Sequence, residues 1–118
     1  MLVRLGCVWW TMLVIVLIMA IFSRYCSYAY EKGEGIYLEC QFVFDLEVPE
    51  SFQPIVGDGE VQEFFLWPLE KVREAIATEE FKPNCALVIL DFLMRRGHVQ
   101  PDTEKFYTRY VELLHAPL

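Results

Sequence analysis

Positive charge is scarce in this chain, and so are the side chains from which most catalytic centres are built. Ten Lys and Arg stand against 17 Asp and Glu, a formal net charge of -7. The clustered cations that neutralise nucleic-acid phosphates are therefore missing, which argues against a nucleic-acid partner. His98 and His115 have no second ligand at helical spacing, and no Cys-x-x-Cys pair occurs, so the common zinc patterns are absent. Ser23, Ser27 and Ser51 are the only serines, and none sits in a Gly-x-Ser-x-Gly elbow. Gly33-Glu-Gly35 and Gly57-Asp-Gly59 lack the later glycine of a nucleotide loop and suit turns. Disorder is excluded as well, because 55% of the 118 residues are hydrophobic, enough for one domain with a core.

Charge is also missing locally. Leu5 to Ser23 runs 19 residues without a charged side chain between Arg4 and Arg24. That is close to the roughly 20 residues with which a helix crosses about 30 Å of hydrocarbon. Trp9 and Trp10 at one end and Tyr25 and Tyr28 at the other suit the interfaces. Residues 1–24 are thus expected to form an N-terminal transmembrane helix, with residues 5–23 in the bilayer and single-pass membrane localisation. Orientation stays open because the flanking cations balance, and a cleaved signal peptide or a buried globular helix are the alternatives. Of the four cysteines, Cys7 lies in this segment. Cys26, Cys40 and Cys85 suit small buried hydrophobes, although Cys26 and Cys40 on neighbouring strands can pair in an oxidising compartment.

Residues 25–118 form the second expected region. Aromatic Tyr25 to Tyr30, the polar Glu31 to Gly35 and an alternating Ile36 to Leu46 predict a hairpin. Its second strand would bury Ile36, Leu38, Cys40, Phe42 and Phe44 on one face. A long loop over 47–60, marked by Pro49, Pro54, Gly57 and Gly59, precedes a short strand over 61–67. Pro68 then opens an amphipathic helix over 69–78 with Leu69, Val72 and Ile76 inward. Pro83 opens a largely apolar helix over 84–96, stopped by Gly97. Pro101-Asp102 starts a last helix with Phe106, Tyr110, Leu113 and Leu114 as its apolar stripe.

One metal motif comes close. Gly59, Arg73 and Glu74 match three positions of the nudix box, Gly-x5-Glu-x7-Arg-Glu-apolar-x-Glu-Glu-x-Gly-apolar. The first Glu would fall at Phe65, and the paired glutamates would fall at Ala77 and Thr78. Glu79 and Glu80 lie two residues too late, a rotation of about 200° on a helix. The match is coincidental.

A broader likeness appears in Tyr-Leu-Glu-Cys-Gln-Phe-Val-Phe-Asp-Leu (37–46), Val-Pro-Glu-Ser-Phe-Gln-Pro (48–54), Gly-Asp-Gly-Glu-Val-Gln-Glu-Phe (57–64) and Phe-Lys-Pro-Asn-Cys-Ala-Leu-Val-Ile-Leu-Asp-Phe-Leu-Met-Arg-Arg-Gly-His (81–98). From Tyr28 to Leu118 the chain resembles the C-terminal half of the nudix hydrolases related to thiamine pyrophosphokinase, which include plant chloroplast-type members. The resemblance implies an α+β fold, part of a nudix α/β/α sandwich. It also implies Mg²⁺-dependent hydrolysis of a diphosphate linkage, in thiamine diphosphate analogues or nucleoside diphosphates, by box glutamates that hold the metal. The resemblance begins after the box, and residues 1–24 contain no carboxylate. The expectation is a truncated, inactive nudix-like chain without a cofactor of its own, which meets a small-molecule diphosphate only when the full domain is present. Glu60 and Glu63 fall where some nudix enzymes place an auxiliary acid, and they are the weak catalytic candidates. A single-pass interaction module, whose exposed apolar surface a protein partner covers, is the alternative. A third reading makes residues 1–24 a gene-model artefact in front of a full enzyme.

Overall fold

A computed structural model describes residues 2–8, 21–45, 47–57 and 61–118. In chain order these form β1 (Leu2–Val8), β2 (Ile21–Lys32), β3 (Gly35–Asp45), β4 (Val61–Pro68), α1 (Leu69–Ile76), α2 (Pro83–Arg95) and α3 (Tyr107–Leu114). The chain divides into two compact units, residues 1–21 with 44–81 and residues 22–43 with 82–118.

The first unit corrects the membrane expectation. Leu2–Val8 is a strand whose backbone pairs antiparallel with β4, from Leu2 opposite Pro68 to Val8 opposite Val61, with an irregularity between Cys7 and Val8. Extended backbone continues in β2 from Ile21, while Trp9, Trp10 and the rest of 9–20 lie outside the described residues. Among the described residues no helix is long and apolar enough to cross a membrane. The transmembrane helix and the single-pass localisation built on it are therefore overturned. A continuous apolar run carries no periodicity to separate helix from strand, and here a partner strand supplies the ladder hydrogen bonds. The aromatics set as one interfacial belt, Tyr25 and Tyr28, belong to β2 instead.

Pro68 ends β4 and leads into α1, its fixed φ of -63° suiting the turn from extended to helical backbone. Leu69 and Val72 are buried, and α1 packs on β1 and β4. Phe65 and Trp67, two apart on β4, meet at 5.3 Å between ring centres, and Lys71 Nζ caps the Trp67 ring at 4.2 Å.

The second unit is the expected hairpin with the last two helices. β2 and β3 pair through a two-residue turn at Gly33 and Glu34, where Gly33 takes φ +65°, the left-handed region open to glycine. The α+β composition, strands followed by three helices, stands. The α/β/α sandwich does not, because the described strands build two separate two-stranded sheets. Cys26, Val43 and Leu114 form a core cluster against which Leu87, Val88 and Met94 of α2 pack. This reverses the expected orientation of β3: Ile36 is 72% exposed, Leu38 58% and Phe42 66%, and Cys40 is exposed too. Alternation fixes which residues share a face but not which face meets the helices. The helices chose the face with Val43.

Gly97 stops α2 as expected, with φ +75°. The His98 N–H reaches the Leu93 carbonyl at 2.8 Å and the Gly97 N–H reaches that of Met94 at 3.1 Å, a Schellman closure. The last helix begins at Tyr107 rather than at Pro101, because residues 101–106 are spent in turns. Only Leu114 of its anticipated stripe is buried; Phe106 and Leu113 are exposed. Beyond it, Ser27 Oγ donates to the Ala116 carbonyl at 2.6 Å and the Ala116 N–H returns to the Ser27 carbonyl at 3.1 Å. His115 forms a parallel bridge to Ser27 and sets its ring edge-on to Tyr25, with centres 5.7 Å apart.

Candidate functional site

The densest polar constellation lies on the helix-facing side of the β2–β3 hairpin, within the second unit. Tyr28 and Tyr30, two apart on β2, share a face, as do Tyr37 and Glu39 on β3. Both hydroxyls converge on one carboxylate: Tyr28 donates to Glu39 Oε2, and Tyr30 donates to Oε1 at 2.9 Å. Tyr37 stacks on Tyr30 at 5.2 Å and 14° between planes, and Tyr28 lies tilted against Tyr30 at 6.2 Å. Gly35 makes room for this row, since a Cβ there would stand 3.3 Å from the Tyr37 ring.

The electrostatics follow from that geometry. Hydrogen bonds from Tyr28 and Tyr30 hold the Glu39 carboxyl below its ordinary value, and Lys82 just before α2 helps at longer range. In return, Tyr28 is raised, first by burial and then by its bond to Glu39, while a hydrogen bond from Asn84 opposes the rise. Tyr30 is raised chiefly by its bond to Glu39. Asn84 is itself oriented at the start of α2, where its Oδ1 accepts the Cys85 N–H at 3.0 Å. The site is an ionised carboxylate gripped by two phenols that stay protonated. No motif announced it; the signal in the sequence was three tyrosines and a glutamate in phase on two strands joined by a tight turn.

Glu63, one of the two sequence candidates, is exposed on β4 with its backbone opposite Cys7. Glu60 lies outside the described residues. Glu79 and Glu80 occupy an exposed turn rather than a helix. Among the described residues no three His, Cys, Asp or Glu side chains converge on a point where a metal ion would sit. These residues do not fit Mg²⁺, whose octahedral site needs several oxygens brought together. Cys26 and Cys40 are not joined, so the pairing that an oxidising compartment would allow is not formed here. His115 is tied down, its Nδ1 3.0 Å from the Val111 carbonyl.

Comparison with known proteins gives the wider context. Nudix hydrolase 20, chloroplastic, of Arabidopsis thaliana is 45% identical over 73 residues, or 61% of this chain. That stretch resembles part of a protein named as a Nudix hydrolase. Nudix hydrolase 24, chloroplastic, of the same plant is 41% identical over 73 residues. An uncharacterized protein of Saccharomyces cerevisiae is 44% identical over 88 residues, 75% of the chain. The chain spans only 20% of each plant protein and 26% of the yeast protein. No family model matches it.

Proposed function

We propose that this chain carries the C-terminal part of a nudix-type hydrolase domain and that these 118 residues by themselves do not cleave diphosphates. The observation that carries the reading is the 45% and 41% identity to two proteins named as Nudix hydrolases. The activity attached to the resemblance is Mg²⁺-dependent cleavage of a diphosphate linkage, in thiamine diphosphate analogues or nucleoside diphosphates. Such chemistry needs carboxylates gathered on the metal to neutralise phosphate charge and activate water. The box pattern that supplies them does not occur in the sequence, and Glu63 stands apart from any second acid cluster among the described residues. The missing carboxylates support a role as one segment of a larger catalytic unit. The test is a phosphate-release assay on the full chain with Mg²⁺, using thiamine diphosphate and nucleoside diphosphates. The expected rate equals that of buffer. Turnover that EDTA abolishes would overturn the proposal of inactivity.

A further inference from the structure

We propose that the stacked Tyr30 and Tyr37 rings, with Glu39 at their edge, bind a small organic cation of the alkylammonium class. The inference does not rest on the diphosphate reading, since it uses only residues of the hairpin and the start of α2. Three observations converge. The Glu39 carboxylate carries a full negative charge held by neutral phenols, and no lysine or arginine forms an ion pair with it among the described residues. Lys82 is the cation within electrostatic reach, and it acts there without a salt bridge. The rings beside the carboxylate are open, Tyr30 being 38% and Tyr37 46% exposed.

Aromatic faces carry negative quadrupole density, so a desolvated cation is held by rings and carboxylate together. A small metal ion draws little from the rings and needs more oxygens than one carboxylate presents. A phosphate is repelled by Glu39. A methylated ammonium matches both parts, because its methyl groups lie against the rings while its charge faces the carboxylate. The platform is also pre-shaped. The left-handed Gly33 turn fixes the strand ends, and the close approach at Gly35 seats Tyr37 on Tyr30.

The probe is tetramethylammonium chloride, titrated into the full chain while the tyrosine ring resonances are followed by ¹³C-edited NMR. Saturable shifts at Tyr30 and Tyr37 are expected. Sodium chloride at matched ionic strength and tert-butyl alcohol, which has a similar shape without charge, should give none. Glu39→Gln and Tyr37→Leu should each weaken binding about five- to tenfold, within the range of a cation–π site with a charged partner. An equal saturable response to tert-butyl alcohol overturns the proposal, as does a purely linear response to the cation. So does unchanged affinity in Glu39→Gln with a circular dichroism spectrum like the parent's.

Discussion

Asp91 and Arg95 show how much one carboxylate can matter when water is kept from it. Asp91 is 1% exposed in the middle of α2 and accepts a 2.6 Å bond from Arg95 Nε one turn later. Removing one member of a buried pair takes from the other the charge that balances it, which costs about 3 kcal/mol, whereas an exposed pair on a helix contributes about 0.5 kcal/mol at most. Arg109 and Glu112 supply the exposed comparison at 3.1 Å on α3. In urea denaturation, Asp91→Ala should therefore lower stability by about 3 kcal/mol. Arg109→Ala should move it by less than about 0.5 kcal/mol. Equal effects would mean that burial does not govern the Asp91 pair.

Among the elements, β3 is the most instructive. Its hairpin, its strand length and its alternation were legible from Ile36 to Leu46, and so were the proline openings of α1 and α2 and the Gly97 stop. The direction of its faces was not, because Ile36, Leu38 and Phe42 turn outward while Cys26 and Val43 meet Leu114. The same gap hid the tyrosine–glutamate site, which exists only because the phenols of one strand fall opposite Glu39 of the next. The start of the chain failed for another reason: an apolar run has no phase, and only pairing with β4 reveals a strand in Leu2–Val8. The exposed face makes its own prediction. Ile36→Lys and Leu38→Glu remove little buried area, so each should shift the urea midpoint by less than the equivalent of about 0.5 kcal/mol. Both should lower binding of an apolar dye, since they place charge on an uncovered hydrophobic face. A loss of several kcal/mol on either change would put that face in the core.

For the molecule as a whole, stability should be a plateau in pH with two shoulders. Glu39 is lowered in the folded state, so its contribution is present above its unfolded pKa and is lost as pH falls through the folded value. Cys26 is pushed up to about 11 from 9.0, first by burial and then by the charge of Asp91. Its contribution is intact below pH 9.0 and drains away as pH climbs toward 11, because the unfolded thiol ionises first. The raised Tyr28 and Tyr30 hydroxyls act in the same alkaline direction, past the ordinary phenol value of 10.0. Urea midpoints collected from pH 3 to pH 11 should fall at both ends, and Cys26→Ala should flatten the alkaline shoulder. A midpoint that rises above pH 9 would contradict the burial of that thiol.

The clasp between Ser27 and Ala116 joins positions 89 residues apart in the sequence. A ribosome must therefore translate at least as far as Ala116 before β2 can acquire this edge partner. Until then the nascent hairpin waits with one margin unpaired, a period in which holding chaperones would find their substrate.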